Sequence, residues 1–198
     1  MSDAVASLRR ALARPAGESS DFDLNPGLVL PEGRVLRPAA VLVAIWLRPG
    51  GAELILTKRA SHLKHHPGQI AFPGGKVDAQ DAGPEAAALR EAQEEVGLPP
   101  RAVEVLGHLP AHETVTGFSV VPILSVVRQG FDPVPEAGEV AEVFTVPLDH
   151  VLKPANFAIE RRRWRGEWRS YYALPYGAYY IWGATARILR GLAGRFAP

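Results

Sequence analysis

The sequence predicts a mixed α/β sandwich. Strand-like apolar runs far outnumber helical patterns along the chain. Two amphipathic helices are placed to cover the resulting sheet. A chain of 198 residues with 47% apolar content is long enough for one core. We expect residues 1–37 to form an N-terminal helix and irregular arm of the same unit, and residues 38–198 to form the principal domain.

Taken in order, residues 3–14 carry Val5, Leu8 and Leu12 among arginines, which reads as a short amphipathic helix. Between Arg14 and Pro38 the composition shifts to Pro, Gly, Ser and Asp. That predicts an irregular arm, which either wraps the domain or assists a partner subunit. Ala39 to Leu47 is a continuous Val/Leu/Ile-rich run, as expected of a buried strand. Pro49-Gly50-Gly51 turns the chain, and Glu53 to Arg59 reads as the second strand of a hairpin. Gln69 to Phe72 is a short strand that enters the glycine-bearing turn Phe72-Pro73-Gly74-Gly75.

The next helix has clear limits. Pro84 suits the first helical position, where its missing N–H would be unpaired anyway. Gly97 suits the left-handed position just past the end, and Pro99-Pro100 forbid continuation. Leu89, Ala92 and Val96 mark one apolar side of this helix over 84–96. Glu91, Glu94 and Glu95 fall at i, i+3 and i+4, so their side chains converge on another side. Such a cluster is self-repelling, and the two acids in the last turn oppose the helix dipole. A hard divalent cation reverses both effects, since Mg²⁺ prefers carboxylate oxygens. On charge pattern alone the cluster also reads as a solvated acidic face with Arg90 paired to Glu94. The glycine turn before it favours the ion, because it lets backbone approach a metal or phosphate.

Beyond Pro100, Val103–Leu109 and Ser119–Val127 read as strands, separated by the polar segment from His112 to Gly117. Glu139 to Val146 is another strand, followed by a helical turn from Pro147 to Leu152. Phe157–Trp164 and Trp168–Leu174 flank Arg165-Gly166-Glu167 and predict a hairpin. A last amphipathic helix is expected on Ile181, Ala184, Ile188, Leu189 and Leu192. There is no internal repeat.

Composition narrows the chemistry. The formal net charge is +1, from 22 basic and 21 acidic residues. That balance argues against nucleic acid as a partner. There are no cysteines, which excludes disulfides, thiolate zinc sites and cysteine nucleophiles. The longest apolar run is too short for a bilayer, and neither a signal peptide nor a peroxisomal address is visible. We therefore expect a cytoplasmic protein with no membrane partner.

The residues from Gly75 to Leu98 resemble the signature of the Nudix hydrolases. Gly75, Arg90, Glu91, Ala92, Glu94, Glu95, Gly97 and Leu98 fit it. Asp81 stands for the early acid, followed by eight residues before Arg90 where the signature has seven, so the loop is one residue longer. The preceding segment resembles the motif of the coenzyme A pyrophosphatase branch of that superfamily, with Thr57, Arg59, Leu63, His66, Gly68, Gln69 and Phe72 to Gly75 matching. Lys64 stands where that branch has Arg, which keeps the charge and loses the bidentate fork.

The resemblance implies a Nudix-type α/β/α sandwich with a mixed sheet. It implies metal-dependent hydrolysis of the diphosphate of coenzyme A or acyl-CoA, giving 3′,5′-ADP and 4′-phosphopantetheine or its acyl derivative. Mg²⁺ or Mn²⁺ is the implied cofactor, with Glu91, Glu94, Glu95 and the Gly75 carbonyl as ligands. Arg90 is expected to orient the carboxylates. The general base is Glu91 or a loop acid, with Glu139 the first such candidate and Glu113 the second. Arg59, Lys64, His66, Gln69 and Gly74 are expected to bind substrate. The run Arg161-Arg162-Arg163 either assists a 3′-phosphate or is a basic face of an exposed hairpin. The rival readings are a Nudix pyrophosphatase acting on ADP-ribose or a dinucleotide, and an inactive Nudix binding module. A homodimer is compatible with the arm.

Overall fold

The computed structural model describes residues 2–28, 33–63, 66–164 and 166–196. It begins with α1 (Ser2–Ala13), β1 (Ser19–Ser20), β2 (Arg37–Arg48), β3 (Gly51–Arg59), β4 (Ile70–Ala71) and β5 (Gly74–Lys76). There follow α2 (Pro84–Val96), β6 (Val103–His108), β7 (His112–Glu113), β8 (Phe118–Val127), β9 (Val140–Pro147) and α3 (Leu148–Val151). The chain closes with β10 (Ala158–Trp164), β11 (Glu167–Tyr176), β12 (Tyr179–Trp182) and α4 (Ala184–Gly194).

Among the described residues, β1 to β9 form a nine-stranded mixed sheet, and β10, β11 and β12 form a separate three-stranded antiparallel sheet. At the centre of the large sheet, β2 runs parallel to β8 and antiparallel to β3 and β5. Alternate residues of β2 enter two different cores, because side chains of a strand point to opposite faces. Ala40, Leu42 and Ala44 pack with Ala87, Ala88, Ala92 and Val96 of α2. Val43, Ile45 and Leu47 pack with Val5 and Leu8 of α1 and with Ile188, Leu189 and Leu192 of α4. A strand covered on both faces needs no polar side, so the unbroken apolar run of β2 follows. The architecture is the α/β/α sandwich with a mixed sheet.

Several details depart from expectation, among them strand β1 within the arm and strand β7 within the polar segment from His112 to Gly117. The glycine turn is itself strand β5, with Gly75 opposite Ala40 and Gly74 opposite Val41. Ile181 belongs to β12, paired with Leu174, and α4 begins only at Ala184. Tyr179 and Tyr180 bring aromatic, strand-favouring residues to that segment, and Gly183 at φ +66° separates it from the helix.

The N-terminal arm is tied down at several points. β1 pairs in parallel with β7. The buried His112 ring bonds Ser19 Oγ at 2.9 Å and Asp21 Oδ1 at 3.1 Å. Asn25 donates to the Ser170 carbonyl at 2.9 Å and accepts from the Ser170 N–H at 2.8 Å. The Arg195 guanidinium donates to the carbonyls of Ala11, Leu12 and Arg14, and so satisfies orphan acceptors at the end of α1.

Candidate active site

The site is built where β5 meets α2. Gly74 could not be another residue: a Cβ there would lie 2.4 Å from the Ala40 carbonyl oxygen and 2.6 Å from Val41 Cα. This close approach directs the Gly74 N–H onto Glu95 Oε2 at 3.1 Å. At Gly75 a Cβ would fall 2.4 Å from Glu91 Oε1, the movable end of a side chain, so a larger residue there would displace the Glu91 carboxylate. The missing side chain at Gly74 thus lets β5 lie against β2, and the one missing at Gly75 leaves room for the Glu91 carboxylate.

Glu95 is 6% exposed. The expectation that the three glutamates converge on one side of α2 is met only in part. Glu95 faces inward against β5, whereas Glu94 is exposed and its Oε2 accepts from Arg90 Nη1 at 3.1 Å. Burial pushes the Glu95 carboxyl up to about 7; the Gly74 N–H opposes the shift, and Glu91 and Glu139 add to it. The half-buried Glu91 is also raised, first by burial, against the pull of Arg90 and with added repulsion from Glu94 and Glu139.

Arg90 holds the cluster together. Its Nε and Nη2 donate to Asp81 Oδ1 and Oδ2 at 3.0 and 2.9 Å, a bidentate pair. Its Nη1 donates to Glu91 Oε1 at 3.0 Å as well as to Glu94. Asp81 in turn accepts from the Asp78 N–H at 2.8 Å, and its carboxyl is held below the ordinary carboxylate range by Arg90. The longer loop thus still delivers its acid to Arg90.

Glu139 reaches the site because its loop is docked on the end of α2. The N–H groups of Glu136 and Val134 donate to the Glu95 and Val96 carbonyls at 2.9 and 3.0 Å. At the other end of the loop, Ala60 N–H donates to the Glu139 carbonyl at 2.8 Å. The Glu139 side chain is exposed and close enough to raise both Glu91 and Glu95. Glu113 is placed elsewhere, in an ion pair with Arg34.

Beside this cluster lies a cleft of about 640 Å³. Arg59, His66, Gln69 and Gly74 line it, so the structure brings four of the five expected substrate-binding residues together. The fifth, Lys64, lies outside the described residues. Arg59 also acts electrostatically on Glu95. Sequence reasoning missed Arg169, Tyr171 and Trp182, which line the cleft together with Asp21 and Asn25 of the arm. Of the arginine run, Arg162 lines the cleft and Arg161 and Arg163 do not. One signal was available: a hairpin joining the two expected strands pairs Arg162 with Arg169.

The donor set suits a hard divalent ion. Glu95 is a buried carboxylate with one hydrogen-bond partner and two acidic neighbours, an excess of negative charge that a cation would neutralise. Among the described residues no three acids or histidines stand as a ready cage. Arg90 draws Glu94 outward, so a bound ion would require Glu94 to turn back.

Taken together, the site is a glycine strand against an acid-rich helix, with an arginine tying its carboxylates and an adjoining basic cleft. The chain belongs to the Nudix family, whose NUDIX domain matches residues 36–166. It is 45% identical over 159 residues to "Uncharacterized Nudix hydrolase NudL" of Enterobacter sp. (strain 638), covering 79% of this chain and 81% of that one. It is 46% identical over 157 residues to the protein of the same name from Salmonella newport (strain SL254), with the same coverage. Among solved structures, the Nudix hydrolase RenU of M. smegmatis matches at TM-score 0.50 and 26% identity, over 61% of this chain and 83% of that one. The NUDIX domain of Shewanella oneidensis NrtR, complexed with ADP ribose, matches at TM-score 0.52 over 87% of this chain and 96% of that one; at 16% identity it shares the fold alone. Nudix hydrolases generally need divalent ions such as Mg²⁺ or Mn²⁺ and act on small molecules. No helix among the described residues is long and apolar enough to cross a membrane.

Proposed function

We propose that this protein hydrolyses the diphosphate of coenzyme A or acyl-CoA. One observation carries the reading. The segment that resembles the coenzyme A pyrophosphatase motif contributes Arg59, His66 and Gln69 to the same cleft as Gly74, whose N–H is held by Glu95. A cleft of about 640 Å³ is of the size that takes a nucleotide-like ligand.

In the reaction a water attacks one phosphorus of the diphosphate, the bridging P–O bond breaks, and 3′,5′-ADP leaves from 4′-phosphopantetheine. Arg59, His66 and Lys64 bind the charged diphosphate oxygens, and Gln69 and Gly74 position them. Glu139, exposed and next to the acids of α2, takes the proton of the attacking water; Glu91 is the alternative base. Arg90, fixed by Asp81, orients Glu91, while Glu94 leaves Arg90 to join Glu91 and Glu95. Glu91, Glu94 and Glu95, with the Gly75 carbonyl, would hold Mg²⁺ or Mn²⁺. When bound, the ion supplies charge neutralisation of the diphosphate and acidification of a water.

Product identification after incubation with coenzyme A and Mg²⁺ or Mn²⁺ tests the reading. Release of 3′,5′-ADP and 4′-phosphopantetheine is the expected result. Equal kcat/KM on ADP-ribose or a dinucleotide would discard coenzyme A as the preferred substrate.

A further inference from the structure

Glu139 stands on a segment that packing does not hold. Asp132 to Glu139 reads Asp-Pro-Val-Pro-Glu-Ala-Gly-Glu, and every residue of it is exposed. Without buried side chains, such a segment keeps one conformation only through its hydrogen bonds. On the side of α2 these are the bonds of Val134 and Glu136. Within the segment, the N–H groups of Glu139 and Val140 both donate to the Glu136 carbonyl, at 3.1 and 2.8 Å. Backbone alone supplies all of them, so they ask nothing of particular side chains.

The remaining ties come from the end of β3. Its register with β9 shifts between Lys58 and Arg59, and Arg59 then stands opposite Val140. A bulge of this kind re-aims a side chain, and Arg59 lines the cleft. One residue on, the Ala60 N–H donates to the Glu139 carbonyl at 2.8 Å. The chain then turns, with the Leu63 N–H on the Ala60 carbonyl at 3.4 Å. That turn presents His62, whose Nε2 lies 3.1 Å from the Gly138 carbonyl oxygen. A carbonyl only accepts, so Nε2 carries the hydrogen.

The two peptide groups flanking the Glu139 Cα are thereby held at both their N–H and their C=O ends. Fixing two successive planar peptides fixes the φ and ψ between them, and with these the direction in which the side chain leaves. Only one of these bonds, the one from His62, depends on a side chain.

We propose that His62 is a positioning residue for the base, which it serves by clamping the peptide that precedes Glu139. The inference rests on the reading of Glu139 as the proton acceptor and deepens it. The same stretch of chain, closed by the Arg59 N–H on the Gln69 carbonyl at 3.0 Å, carries Arg59, His66 and Gln69 to the cleft. The groups that hold the diphosphate and the group that activates water are therefore set by one support.

The test is a double-mutant cycle on kcat, measured on coenzyme A with Mg²⁺. His62→Ala is expected to lower kcat by roughly tenfold to a hundredfold with KM little changed, since a misplacement of about 1 Å can cost about a hundredfold. His62→Gln, whose amide nitrogen reaches the place of Nε2, is expected to recover most of that loss. In Glu139→Gln no base remains to be placed, so adding His62→Ala should cost nothing more. A merely structural role would lower both backgrounds alike. Wild-type kcat in His62→Ala beside an impaired Glu139→Gln overturns the positioning role and leaves the base standing. A loss that persists in Glu139→Gln, or that His62→Gln does not relieve, overturns it as well. Wild-type kcat in Glu139→Gln removes the base and the proposal with it. Should coenzyme A not be hydrolysed, the same cycle on ADP-ribose decides, because the placement of the base does not depend on the leaving nucleotide. No turnover on either compound overturns the proposal together with the activity.

Discussion

Replacing Glu95 by Gln should stabilise the metal-free protein while abolishing metal-dependent turnover. The carboxyl titrates near 7 in the folded protein against an ordinary 4.5. An acid raised on folding favours the fold while protonated. Its penalty is absent below about pH 4.5, grows as pH rises, and is complete above about pH 7. A shift of about 2.5 units corresponds to about 3 kcal/mol, an order-of-magnitude figure. Gln is uncharged at every pH, and its carbonyl can still accept from the Gly74 N–H. In chelated protein at pH 8, Glu95→Gln should therefore melt about 6–12 °C above wild type, taking about 2–4 °C per kcal/mol for a chain of this size. At pH 4.5 the two should melt together. Added Mg²⁺ should raise the wild-type midpoint at pH 8 and leave the variant unmoved. Thermal melts followed by circular dichroism, with chelator and with Mg²⁺, measure all of this. A variant no more stable than wild type at pH 8 would refute the claim that Glu95 is a buried charge waiting for a cation.

Other perturbations probe the supports of the site. Asp81→Asn weakens the bidentate anchor of Arg90, and should lower kcat/KM and the apparent Mg²⁺ affinity by roughly tenfold to a hundredfold, as loss of an orienting partner does; a metal titration of initial rates reads both. Glu139→Gln should lower kcat by about a hundredfold or more with little change in KM, if this acid accepts the proton; steady-state kinetics on coenzyme A would show otherwise by an unchanged kcat. Gly74→Ala drives a methyl into the Ala40 carbonyl, so soluble yield and melting temperature should collapse; a variant that melts like wild type would contradict the close packing of β5 on β2.

Much of this fold was legible because its strongest signals are local. Pro84 and Gly97 set the ends of α2 through backbone restrictions that no tertiary contact needs to reinforce. The apolar run of β2 is readable for a related reason, since burial on both faces leaves no alternation to misjudge. Apart from β4, which falls inside the expected strand from Gln69 to Phe72, short strands were not legible. β5, β7 and β12 exist because a neighbour supplies hydrogen bonds, and nothing in two to four residues announces that neighbour. Ile181 shows the consequence: its spacing from Ala184 and Ile188 fits a helix, yet pairing with Leu174 places it in a strand.

The site divides along the same line. The Arg90 and Glu91 to Glu95 pattern was visible as chemistry, but its split into one buried and one exposed acid depends on where β5 lies. The long loop to Asp81 looked like a departure and proves to close on Arg90, because a loop can lengthen while its end stays fixed. Arg162 was legible as a candidate, but Arg169, Tyr171 and Trp182 could not be read as part of the cleft, since they join Arg59 and Gly74 only through the packing of one sheet beside another.

The most direct measurement is a crystal structure with Mn²⁺ and its anomalous scattering. The expected result is an ion held by Glu91, Glu94 and Glu95 beside the Gly75 carbonyl, with Glu94 turned away from Arg90. Crystals in which Glu94 stays on Arg90 and no manganese signal lies between the three carboxylates would contradict it.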